Sequence, residues 1–219
     1  MLLMLYRHLL PKVEEIVLFS GFNNLGLARL PASMRGEHGA FFNCNEFFDA
    51  FGTDADRAAA AQKNPSMMQR LLGGKNAPAE TFQIPSMEEQ IAYAGDLTLR
   101  HLDLWRVVAE DLGAKLTYVL QPLAGWVREK GCDEEERLFA ELDKLGRFSE
   151  TYGDILQEKV NLQYAALIEQ WAQSKGVGFI NLSPVLADRL ASDQWLFVDR
   201  IHFTDDGHDF VAKQLLDLI

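Results

Sequence analysis

The chain has 219 residues, 48% of them hydrophobic and 24% charged, enough for one domain with a sizeable core. Twenty-one Lys and Arg against 32 Asp and Glu give a net charge of −11, which repels phosphate backbones and anionic lipid, so nucleic acid and membrane are poor partners. Seven Pro and 16 Gly are too few for a disordered or fibrous chain. Two cysteines, Cys44 and Cys132, make neither a disulfide framework nor a zinc spacing, and a reduced, cytoplasmic protein is the expectation.

In chain order, the opening MLLMLYRHLL has no basic leader, is interrupted by Arg7 and is followed by no small-x-small cleavage site. It is also shorter than the roughly 20 apolar residues of a membrane span, and reads as a buried helix. Residues 16–20 (IVLFS) form a continuous apolar run, the pattern of a strand buried on both faces. Residues 31–85 are an insertion, long enough to hold short helices over 45–51, 54–62 and 66–72. Its cluster of Phe41, Phe42, Phe47, Phe48 and Phe51 suits an anchor to the core or the wall of an acyl pocket. Residues 86–112 carry apolar side chains at three- and four-residue steps, open with the capping box Ser86-x-x-Glu89 and stop at Gly113.

A second strand is expected over 116–120 (LTYVL), ending at Gln121-Pro122. The acidic run 133–136 reads as a solvated helix start, where negative charge complements the helix dipole. A second long helix is expected over 152–174 and a third strand over 177–182 (VGFINL). Residues 195–198 (WLFV) form a short strand or an extended approach, and a last helix runs over 205–219. Helices alternating with buried strands mean βαβ units, a parallel sheet and a three-layer α/β/α fold for a single domain over 1–219.

In open parallel sheets, ligands sit beyond the carboxyl ends of the strands. That rule selects Ser20-Gly21-Phe22-Asn23-Asn24, Gln121-Pro122, Ser183-Pro184 and Asp199-Arg200-Ile201-His202. An Asp three residues before a His, between a strand and a helix, can bond one imidazole nitrogen and leave the other as general base. The same pair also suits a structural turn Asp beside a half-buried His. In Gly21-x-Asn23, glycine permits a close turn and a fixed Asn amide can donate to an oxyanion, a role worth about 3 kcal/mol of barrier. A strand-end turn chosen for backbone geometry accounts for the same residues.

Together, SGFNN and VDRIHFTDDGH resemble the third and last blocks of the SGNH (GDSL-like) hydrolases, with LTYVLQP and VGFINLSPVL resembling that family's later strands. The resemblance runs from about residue 16 to the end. It implies a flavodoxin-like sheet, no metal or other cofactor, and hydrolysis of a small ester through an acyl-enzyme. It assigns His202 as base, Asp199 as its orienter and Asn23 as oxyanion donor, with Gly21 and Asn24 at the substrate. Asn24 stands where the family usually has Asp, a departure from its third block.

The larger departure is that the family's G-D-S nucleophile block and its second oxyanion glycine are absent from the sequence. The chain therefore reads as the carboxyl-terminal part of the family domain, without its first two strands and inactive alone. Ser20, Ser183 and Cys44 are weak substitutes: Ser20 sits at a strand end, Ser183 precedes a proline with no helix amide behind it, and Cys44 lies in the insertion. Residues 16–20 then become an edge strand, open to self-association. His8, His38 and His101 have no partners at metal spacing, and His208, six residues beyond His202, could complete a metal pair that no HExxH or paired carboxylate supports. A non-catalytic binding or regulatory module on the same scaffold is the rival reading, and a sugar or nucleotide pocket on a different α/β fold is a third.

Overall fold

The computed structural model describes residues 2–10, 12–30, 35, 84–146, 149 and 152–219. The helices expected over 45–51, 54–62 and 66–72, the phenylalanine cluster, His38 and Cys44 lie outside these residues.

Three parallel strands, β1 (Glu15–Ser20), β2 (Lys115–Leu120) and β3 (Gly178–Asn181), form one sheet in the order β1-β2-β3. Pairing is in register from Glu15 with Lys115 to Ser20 with Leu120, and from Thr117 with Gly178 to Leu120 with Asn181. The connections are the helices α1 (Leu2–Tyr6) and α2 (Phe22–Ala28), α3 (Met87–Leu112), α4 (Ala124–Val127), α5 (Asp133–Gly146), α6 (Glu158–Lys175), α7 (Leu182–Arg189) and α8 (Asp205–Leu216).

The alternation of side chains along β2 divides the core into two layers. Tyr118 and Leu120 join the cluster built by α2, α3 and α6, which includes Leu25, Ile91, Leu102, Tyr164 and Ile168. Val119 points the other way, into Leu182, Leu186, Phe197, Phe203 and Val211 from α7, α8 and the segment between them. Helices thus cover both faces of the sheet, and the protein is an α/β fold.

Helix α3 starts where its capping box predicts. Ser86 Oγ accepts the Glu89 N–H, and the Glu89 carboxylate accepts the Ser86 N–H at 2.8 Å. Those bonds from Ser86 hold the Glu89 carboxyl below the usual carboxylate range. The helix ends at Gly113 and α6 ends at Gly176, both in the left-handed region (φ 64° and 66°) that glycine adopts without strain.

Four readings are corrected, and the two alternatives for residues 195–198 are decided. Strand β1 is buried on one face only: Ile16 is buried, whereas Val17 and Phe19 are each 41% exposed. The opening segment is a short helix followed by a 3-10 turn (Arg7–Leu9), and Leu5, Tyr6, Leu9 and Leu10 are exposed rather than buried. The helix expected over 152–174 begins at Glu158, because residues 152–157 form a tight turn anchored on Arg29. Residues 195–198 add no strand to the sheet; Phe197 makes one isolated antiparallel bridge to Phe203. Leu182 opens α7 instead of closing β3, so Ser183 sits in the first turn of a helix, fully buried.

Candidate functional site

Strand β2 is followed directly by Gln121, and this residue links the other two segments at the sheet's carboxyl edge. Its backbone N–H donates to Ser20 C=O at 2.9 Å, and its side-chain amide donates to Ile201 C=O at 3.1 Å. Gly21 packs against it: a β-carbon there would stand 3.3 Å from Gln121 O and 3.0 Å from Leu120 Cδ1. The glycine therefore serves a close approach to the end of β2. From the other side, Phe19 and Phe203 bring their rings to 6.4 Å. The turn after β1 and the loop before α8 consequently meet at one edge.

The loop is organised by Asp199. Its Oδ1 accepts the N–H groups of Ile201 and His202, both at 2.7 Å, and its Oδ2 lies 2.7 Å from His202 Nδ1. A carboxylate so placed favours the tautomer with the proton on Nδ1, leaving Nε2 with its lone pair outward. The His202 side chain is 68% exposed, and Nε2 has no partner among the described residues. Thr204 then caps α8 by accepting the Gly207 N–H at 2.8 Å, and His208 in its first turn packs edge-on against Phe203.

Asn23 and Asn24, adjacent in sequence, have different surroundings. Asn24 donates from Nδ2 to Thr98 Oγ1 (2.6 Å), and Thr98 shares a 2.6 Å hydrogen bond with the buried Tyr164 hydroxyl. Burial pushes the Tyr164 hydroxyl up to about 12, with Thr98 and Asn24 lowering it in part. This chain of three polar groups ties α2 to α3 and α6 through the core. Asn23 is exposed, and no hydrogen bond of its amide is found among the described residues. Of the two neighbouring amides, the one anchored by a hydrogen bond among the described residues is that of Asn24.

The acidic run departs most from its sequence reading. Asp133 and Glu134 are exposed at the start of α5, but Glu135 is buried. Its Oε1 accepts the N–H groups of Leu196 (2.8 Å) and Phe197 (2.9 Å), and its Oε2 pairs with Arg128 at 2.8 Å. Arg128 also donates to the carbonyls of Ala191, Ser192 and Gln194. The segment leading into Asp199 thus hangs on one buried carboxylate. Nothing in a DEEE run distinguishes its third member, apart from the apolar Leu138 and Phe139 that follow three and four residues later on the same helix face.

Within the loop, Arg200 pairs with Asp143 at 2.7 Å and stacks over Phe139. Burial works to raise the Asp143 carboxyl, but the bonds from Ser149 and Arg200 together hold it below the ordinary carboxylate range. Arg200 also lines a cleft of about 740 Å³ with Arg128, Gln157, Asn161 and Pro184; His202 and Asn23 do not line it.

Ser183 is fully buried, its hydroxyl without a partner among the described residues, and Ser20 ends β1. No serine hydroxyl is hydrogen-bonded to His202 among the described residues. There, too, no three His, Cys, Asp or Glu side chains are grouped so as to hold a metal ion, and no helix is long and apolar enough to cross a membrane. No protein-family model matches the chain, and no curated protein matches it.

Proposed function

We propose that the chain carries the acid–base part of an SGNH-type hydrolase of small esters, with attack by a serine that is not one of its own. The observation that supports this reading is the 2.7 Å bond between Asp199 and His202 Nδ1, on a loop locked by two further bonds to the same carboxylate. In the proposed reaction, Nε2 of His202 accepts the serine proton as the hydroxyl attacks the ester carbonyl, and Asp199 stabilises the imidazolium formed. The oxyanion then draws a hydrogen bond from the exposed Asn23 amide, and His202 returns its proton to the departing alkoxide. Water repeats the sequence on the acyl-enzyme. Gly21 and Asn24 act on substrate only through the turn they shape.

Hydrolysis of p-nitrophenyl acetate tests the proposal. The chain alone is expected to be nearly inactive, whereas the longest in-frame product of its gene is expected to turn over and to lose at least about 100-fold on His202→Ala. Full activity in that variant would sink the assignment. A second reading, a non-catalytic binding module on the same scaffold, fits His202 having no serine partner among the described residues, and in it no product of the gene reacts with a fluorophosphonate.

A further inference from the structure

Among the described residues strand β1 is paired on one side only, and the hydrogen bonds at its two ends fix which backbone groups face away from β2. Lys115 N–H donates to Glu14 C=O and Gln121 N–H to Ser20 C=O, both at 2.9 Å. With the register of β1 on β2, Ile16, Leu18 and Ser20 turn their backbone groups toward β2. Glu15, Val17 and Phe19 therefore turn theirs away from the sheet. The Val17 and Phe19 side chains stand on the face opposite Ile16 and are each 41% exposed, Phe19 with its ring 6.4 Å from that of Phe203. A groove of about 280 Å³ runs along the same edge, between Leu18 and Ser20 on one wall and Leu102 and Trp105 on the other.

We infer that this edge joins a second copy of the chain, antiparallel and two-fold symmetric about Leu18. The sequence around β1 is self-complementary under that operation. Val17 falls opposite Phe19 of the second copy, and Phe19 opposite its Val17, so the outward N–H and C=O groups of both residues pair while a β-branched and an aromatic side chain meet. Charge fits as well. Glu15 is the strand's one charged residue, it already accepts from Thr117 Oγ1 at 2.6 Å, and in the pair it lies opposite Gly21 rather than another carboxylate. For chains of net charge −11, an edge that opposes no like charges is where two copies can meet.

A strand edge alone falls short of the roughly 1,200 Å² that a stable interface buries. The segment before β1 extends it: Leu5, Tyr6, Leu9 and Leu10 are exposed, while Leu3 packs with Ile16 and Trp105 beside the strand. The dimer is accordingly weak and strengthens as salt screens the repulsion between the two acidic chains. This inference does not depend on the hydrolase reading.

Sedimentation equilibrium of the full chain, from low to high micromolar concentration, combined with amide hydrogen exchange, tests it. A monomer–dimer equilibrium is expected, with the Val17 and Phe19 amides protected only as dimer forms and the Leu18 and Ser20 amides protected throughout. Phe19→Lys should leave the chain monomeric with Leu18 and Ser20 still protected. Val17→Pro should do the same, since it removes an outward N–H and none directed at β2. A monomer at every concentration overturns the inference, as do an open-ended series of larger species, a dimer weakened by salt, or one that survives both substitutions. Protection of Val17 and Phe19 in the monomer overturns it too.

Discussion

The buried carboxylate of Glu135 accepts the backbone N–H of Phe197 at 2.9 Å, across 62 positions of sequence. It takes the neighbouring Leu196 N–H with the same oxygen and Arg128 with the other, so one side chain satisfies three donors where the chain turns toward Asp199. Removing it leaves two buried amides without an acceptor and takes the carboxylate from Arg128, which keeps only its backbone carbonyls. Glu135→Ala is expected to cost about 3 kcal/mol. Urea unfolding checks the magnitude, and exchange of the Leu196 and Phe197 amides checks the location.

The Asp143–Arg200 pair gives the stability an acid limb. Because the Asp143 carboxyl is held below its usual range in the folded protein, its contribution is fully present above the unfolded value, about 3.9, and is lost as pH falls through the lower folded value. Asp143→Asn should lower stability at neutral pH by about 1–2 kcal/mol and flatten the decline below about pH 4. Thermal melts of both proteins between neutral pH and the acid limb measure this. Parallel curves displaced by a constant amount would show that another group carries the pH dependence.

Asn24, Thr98 and Tyr164 should behave as one unit. Thr98→Val breaks both bonds of the chain and Tyr164→Phe breaks one, each at about 1 kcal/mol, and the double variant should cost less than the sum. A double-mutant cycle measures the shortfall. Strict additivity would mean that the three groups hold α2, α3 and α6 independently.

Asp199 fixes the His202 ring through Nδ1, and the effect can be read without any catalytic assay. In Asp199→Ala the Nδ1 proton loses its acceptor, so the neutral ring should move toward the tautomer protonated on Nε2, which prevails in unconstrained imidazole. Nitrogen chemical shifts of His202 report the populations. An unchanged ring would show that the pair is a turn feature with no hold on the imidazole.

Much of this arrangement was legible in the amino-acid order, because the signals act over a few residues. Ser86 and Glu89 bracket the start of α3 and Gly113 its end. The runs LTYVL and VGFINL mark strands by continuous apolar character, the second one residue too long at each end, and Asp199 reaches His202 because three residues of turn bring carboxylate and imidazole together. Burial is not local in this sense. IVLFS carries apolar side chains on both faces, yet only the tertiary arrangement buries Ile16 and leaves Val17 and Phe19 part exposed. Asn23 and Asn24 carry the same amide, and the helical rotation between them sends one to Thr98 and the other to solvent. Glu135 shares its composition with the acids around it and differs only in facing the segment that returns 61 residues later. Hydrogen-bonding partners that distant are chosen by packing, and packing depends on the whole chain.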